Sequence, residues 1–65
     1  MDTTKEALMH EVIRYYGGIQ RLAEYCGVSR QAIYNCRDRG AFTPRIAIFI
    51  ERDTLGLFRA IELAD

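Results

Sequence analysis

Residues 30–35, RQAIYN, combine side chains that can form paired hydrogen bonds with flat, polar partners. The guanidinium of Arg30 offers parallel N–H donors, and the amides of Gln31 and Asn35 each carry donors beside an acceptor. Such groups match the edges of nucleic-acid bases, arginine with guanine and the two amides with adenine. The segment is therefore suited to base recognition, provided that a helix holds these side chains on one face.

Apolar residues around this segment predict two short helices that meet at a glycine. Leu22 and Ala23 precede Gly27, and Ile33 and Cys36 follow it, at the spacings of two buried helix faces. A tight turn favours a residue that adopts positive φ, which glycine does without strain. The pattern predicts a helix-turn-helix unit, in which Ala23 is small because the helices cross closely there.

Capping signals set the bounds of the two helices. The second helix is predicted over about 19–26, and the third begins after Ser29, whose hydroxyl can accept a backbone N–H. The third helix is predicted to run to Arg37 or Arg39, and residues 29–37 are the candidate recognition helix. Its outward side chains are the predicted base readers: Ser29, Arg30, Gln31, Tyr34 and Asn35.

Phosphate contacts are expected from the flanks of this unit. The second helix begins near Gly18, and the unpaired N–H groups of its first turn can form an anion site. The predicted phosphate-binding side chains are Gln20, Arg21, Arg37, Arg39 and Arg45. The chain has zero net charge, but residues 19–45 carry five arginines against two acidic residues. Residues 19–45 are therefore suited to an anionic partner, although the net charge of the whole chain is zero.

The N-terminal part predicts one more helix within a single domain. A chain of 65 residues buries only about 60% of its unfolded surface, which leaves room for one small core. Thr3 and Glu6 have the spacing of a capping box, and the apolar stripe that follows predicts a helix over about 4–16. Gly17 and Gly18 end it. We treat residues 1–65 as a single helix-turn-helix domain.

The C-terminal third allows two interpretations. Thr43 followed by Pro44 is a strong helix start, since a capping hydroxyl precedes the residue best suited to the first turn. Ile46, Ile48 and Ile50, however, also alternate as in a strand. We predict an all-α bundle of four to five short helices, with a last helix over about 57–63. The alternative is an α+β fold with a C-terminal β-hairpin over residues 45–63.

Two stretches resemble a known family. LAEYCGVSRQAIYNCRDRG (22–40) and IERDTLG (50–56), together with Pro44, are similar to Cro-type repressors of temperate phages and YdaS-like regulators, in the lambda-repressor-like helix-turn-helix group. The resemblance implies a small phage or prophage transcription repressor that binds a pseudo-palindromic DNA operator as a homodimer. Cys36 stands where many relatives have tryptophan, and the segment from Pro44 to Glu51 is one residue shorter than in the helical members.

Other functional classes find little support in the sequence. His10, Cys26 and Cys36 are the only soft metal ligands, and they lack the spacing of a metal site, so we expect two free thiols, no metal and no cofactor. No catalytic motif is present, and an enzyme is not expected. There is neither a signal-peptide pattern nor an apolar run of about 20 residues. We expect a cytoplasmic protein.

A protein-interaction module is the alternative function. The last third of the chain is rich in apolar residues for so small a core, and some of them should form an interface. Ile48, Phe49, Leu57 and Phe58 are the candidates for homodimer contacts. An antitoxin or anti-repressor on the same fold would instead use this apolar third to bind a protein partner.

Overall fold

The computed structural model describes the backbone of residues 3–64 and the side chains of residues 5–64. Five helices follow one another along this part of the chain: α1 (Thr3–Tyr16), α2 (Ile19–Cys26), α3 (Arg30–Arg39), α4 (Pro44–Asp53) and α5 (Ala60–Leu63). The predicted all-α bundle is confirmed. The capping box assigned to Thr3 lies outside the described side chains.

Helix α2 lies at the centre of the bundle. It packs against α1, α3 and α4, while α5 closes the opposite side against α1 and α4. Leu22 and Ala23 of α2 are buried, as predicted from their spacing, and Ile33 and Cys36 bring α3 into the same core. The main helix contact of α3 is with α2, which leaves the other side of α3 uncovered.

The turn between α2 and α3 has the geometry that the glycine predicts. Gly27 has φ of 72° and ψ of 31°, in the left-handed region. Its N–H donates to the carbonyl of Glu24 at 3.2 Å, and the N–H of Val28 reaches back to Ala23 at 3.0 Å. These two bonds satisfy the last carbonyls of α2 and aim the chain into α3.

Helix α4 decides between the two interpretations of the C-terminal third. Pro44 is the first helical residue, and the hydroxyl of Thr43 accepts the N–H of Ile46 at 3.4 Å. The alternating isoleucines divide on the helix, since Ile46 and Ile50 are buried while Ile48 points outward. The β-hairpin alternative over residues 45–63 is therefore wrong, and the capping signal outweighed the β-branched alternation.

Polar side chains organise the turn from α4 to α5. The buried hydroxyl of Thr54 donates to the carbonyl of Ile50 at 2.7 Å and accepts the N–H of Phe58 at 3.3 Å. The carboxylate of Glu51 accepts the N–H of Ala60 at 2.7 Å and so caps α5. Because residues 57–59 are held in this turn, α5 begins at Ala60 and not at the predicted position 57.

Hydrogen bonds join the C-terminal segment to α1 and to the residues that follow α3. The N–H of Phe42, just after α3, donates to the carbonyl of Leu63 at 2.9 Å. From α1, the ammonium of Lys5 donates to the carbonyls of Glu62 and Ala64. Helix α5 is short, but these bonds and the buried side chain of Leu63 fix its position.

Substitution of Gly27 tests the turn. A Cβ at this position would meet no atom within 4 Å, so only the backbone conformation opposes a side chain. We expect Gly27→Ala to lower the free energy of unfolding by about 1–2 kcal/mol, the cost of a left-handed residue that carries a Cβ. Gly27→Asn should cost less, because asparagine tolerates this region. Urea denaturation measures the free energy of unfolding of both variants. If Gly27→Ala were as stable as the wild type, the left-handed turn would not be required.

Substitution of Thr54 tests the α4–α5 turn. Thr54→Val keeps the shape of the side chain but leaves the N–H of Phe58 without its acceptor. We expect a loss of about 1–3 kcal/mol in the free energy of unfolding, because that donor is buried. Thr54→Ser retains the hydroxyl and serves as the matched control. Equal stability of the valine and serine variants would show that the hydrogen bonds contribute nothing.

Candidate nucleic-acid interface

The outward face of α3 carries the five residues predicted to read bases. Their side chains are all exposed in the structure, whereas Ile33 and Cys36 of the same helix are buried. The five are Ser29, Arg30, Gln31, Tyr34 and Asn35. This places them together on one open surface, which is what binding to a groove requires.

Ser29 also has a structural role at the start of α3. Its hydroxyl oxygen accepts the N–H of Ala32 at 3.2 Å, which is the N-cap bond expected of a serine here. The hydroxyl proton can still be donated outward. A contact from Ser29 to a ligand would therefore come from a group whose position is already fixed by the helix.

Two side-chain pairs organise the rest of this face. The amide of Gln31 donates from Nε2 to Oδ1 of Asn35 at 3.0 Å. The guanidinium of Arg37 lies over the ring of Tyr34, with Cζ 4.9 Å from the ring centroid. Both pairs have helical spacing, four and three residues apart, and the pairing restricts side chains that would otherwise sample many rotamers.

A concavity joins α3 to the start of α2. It has a volume of about 970 Å³, and its lining includes Gln20, Arg21, Arg30 and Tyr34. The first turn of α2 opens into it without a side-chain cap, since Gly18 precedes the helix. The structure thus brings two predicted phosphate contacts together with two predicted base readers, beside the N–H groups of the first turn of α2. The carboxylate of Glu24 also lines the concavity and offsets part of the positive charge of the two arginines.

The other predicted phosphate contacts lie elsewhere. Arg37 and Arg39 are exposed in the last turn of α3, and Arg37 is stacked on Tyr34. Arg45 lines a separate, mainly apolar groove of about 500 Å³ between the α2–α3 turn and α4. The five residues therefore form three groups around the face of α3 and no single cluster.

The predicted homodimer residues differ in exposure. Ile48 is 50% exposed and Leu57 63% exposed, whereas Phe49 is partly buried against the core. Phe58 is only 7% exposed, and its ring contacts that of Tyr15 at 5.6 Å between centroids. Its assignment as an interface residue is wrong, because the monomer's own core uses it.

Two further apolar side chains are exposed near Leu57. Leu55 is 94% exposed and Ile61 80% exposed. Leu55 also has a φ of 54°, an unusual value for a residue with a branched side chain. The composition of this region signalled an exposed apolar surface, but the α4–α5 turn decides which residues form it.

The cysteines form no reactive centre. Cys26 is partly buried and Cys36 buried, and both are free thiols. Burial, with the nearby charge of Asp53, raises the pKa of Cys26 to about 11. Within residues 3–64, no three histidine, cysteine or acidic side chains lie close enough together to hold a metal ion. None of the helices described here is long and apolar enough to cross a bilayer.

Comparison with known proteins adds no relative. No family model, no curated protein and no solved structure matches the chain.

Sequence reasoning missed the contacts that hold the site together. The pairs Gln31–Asn35 and Tyr34–Arg37 could have been found from their spacing along one helix. The bond from the hydroxyl of Tyr16 to Asp53, at 2.7 Å, joins residues 37 positions apart and left no local signal.

Alkylation tests the state of the thiols. With its pKa raised to about 11, Cys26 holds very little of the reactive thiolate at pH 8. We expect its alkylation by iodoacetamide to be slower than that of an unstructured peptide thiol by at least about tenfold. The rate should rise as the pH increases toward the pKa. In urea both cysteines should react at the peptide rate, and fast reaction of folded Cys26 would contradict its buried, protonated state.

Proposed function

We propose that this protein is a sequence-specific DNA-binding transcription repressor of the Cro type. One observation supports this most strongly: an uncovered α3 face bears arginine and two amides beside the uncapped start of α2. The base-reading residues would be Ser29, Arg30, Gln31, Tyr34 and Asn35. Bound in the major groove, this face would meet base edges, while the start of α2 would face a phosphate.

The phosphate contacts would surround the reading face. Gln20 and Arg21 would bind at the start of α2, Arg37 and Arg39 at the end of α3, and Arg45 from the start of α4. Their separation into three groups suits a DNA backbone, which passes on both sides of the groove. The side chains at the α3 face would supply specificity, and the flanking arginines would supply affinity that depends on salt.

The repressor would act as a homodimer on a pseudo-palindromic operator. Two copies would place their α3 helices in successive major grooves, about 34 Å apart. Ile48 and Leu57 are exposed candidates for the contact, and Leu55 and Ile61 are further exposed apolar side chains. Phe49 is partly buried against the core. Occupation of such an operator in the bacterial cytoplasm would block access of RNA polymerase.

The same exposed apolar side chains support the alternative function, a protein-interaction module. In an antitoxin or anti-repressor, the exposed leucines and isoleucines would bind a different protein, and α3 would serve only as a scaffold. Salt separates the two functions, because phosphate contacts weaken steeply as salt is added while an apolar interface does not.

Selection from a random duplex pool tests the proposal. The purified chain is incubated with the pool at about 50 and about 200 mM salt, where phosphate contacts differ strongly. We expect enrichment of a pseudo-palindrome whose half-sites lie one helical turn apart, with enrichment lost at the higher salt. A folded protein that enriches no sequence would contradict DNA reading and favour the protein-interaction alternative.

Two arginine variants separate reading from anchoring. Arg30→Ala should change which bases are preferred, since it removes a base-edge donor. Arg21→Ala should weaken binding to all duplexes alike and reduce the salt slope by about one. Binding curves on the selected duplex and on point variants of it measure both effects. Equal loss of preference in the two variants would contradict this division of roles.

A further inference from the structure

The hydrogen bond between Gln31 and Asn35 limits what each amide can offer to DNA. Gln31 donates one of its two N–H groups to Asn35, at 3.0 Å, and keeps its oxygen and its second N–H. Asn35 keeps both N–H donors, but its oxygen already accepts one hydrogen bond and can accept only one more. The two residues thus differ in what they present, although both were predicted as independent readers of adenine.

The major-groove edge of adenine needs one acceptor and one donor. Its N6 amino group donates and its N7 accepts, so a reading side chain must accept and donate side by side. Gln31 retains both functions while it is paired. Asn35 could read adenine only by sharing the oxygen that already accepts the N–H of Gln31. Gln31 is the residue whose oxygen is not yet used in the pair.

The Gln31–Asn35 pair lies outside the candidate phosphate site. Arg30 and Tyr34 line the concavity at the start of α2, where a phosphate would bind, whereas Gln31 and Asn35 do not line it. Since residues four apart form a row along a helix, the α3 face has two rows. One row borders the candidate phosphate site, and the other, with both amides, lies one step farther from α2.

We infer that Gln31 and Asn35 recognise a single adenine as one unit, with Gln31 contacting the base and Asn35 holding the glutamine amide in position. The inference rests on the proposed DNA-binding function and names the base chemistry of that site. It assigns Asn35 as a positioning residue, in contrast to a second, separate reader.

A cycle of variants on the selected duplex tests the unit. Gln31→Ala, Asn35→Ala and the double variant are compared on duplexes that carry each base at every position of a half-site. Both residues are exposed on the helix, and alanine favours the helical state, so these variants should fold. We expect both single variants to lose preference for adenine at the same position, by about tenfold, with no further loss in the double variant.

Two probes identify the contact. Replacement of that adenine by 7-deazaadenine removes N7, and it should weaken the wild type but leave Gln31→Ala unaffected. Asn35→Asp keeps an oxygen that can accept the glutamine N–H but adds a negative charge. It should retain the preference for adenine while weakening binding to every duplex.

The outcomes separate this inference from the proposed function. A wild-type protein that selects no sequence overturns both. The wild type could instead bind selectively while Gln31→Ala and Asn35→Ala alter the preference at different base positions, with additive losses in the double variant. That result would overturn only the inference that the two residues recognise one adenine as a unit. Loss of the adenine preference in Asn35→Asp would also overturn it, since the acceptor for Gln31 would still be present.

Discussion

The left-handed turn at Gly27 is the constraint on which the rest of the molecule depends. Gly27, with φ of 72°, ends α2, and α3 begins three residues later and packs against α2, whose Ala23 is buried. Ile33 can then enter the core from one side of α3, while the polar residues of the opposite side remain exposed. A different turn angle would separate the exposed face of α3 from the start of α2, and the concavity between them would be lost.

The turn from α4 to α5 and helix α5 stabilise the packing of the other helices. Thr54 and Glu51 hold the turn from α4 to α5 through hydrogen bonds to Phe58 and Ala60. Helix α5 in turn pairs with the chain that leaves α3, through the bond from Phe42 to Leu63. Glu51 and Thr54, in the segment 50–56 that resembles the family, therefore have structural roles in this turn. The apolar surface that would join two copies rests on the same turn.

Local signals predicted most of the fold. Gly27, Ser29 and Thr43 act on their immediate neighbours, so their sequence context was enough to place helix ends. The start of α5 was not predictable in this way, because Glu51 caps it from the preceding helix. Likewise Phe58 was expected at an interface but is buried. Composition shows that the C-terminal third has more apolar residues than a small core needs, but it does not show which of them the core encloses. The candidate site residues were predicted from their chemistry and from their side of the helix, whereas their mutual contacts required the structure.

The central claim is that DNA meets the α3 face and the start of α2. This contact is tested by the amide chemical shifts of the labelled protein as a duplex that carries a single half-site is added at low salt. We expect changes confined to residues 18–21, 29–39 and the start of α4, with the α4–α5 turn unaffected at constant protein concentration. Chemical-shift changes centred on Leu55 and Leu57 would contradict DNA contact at the α3 face. So would the absence of any change in a sample whose spectrum shows the folded protein.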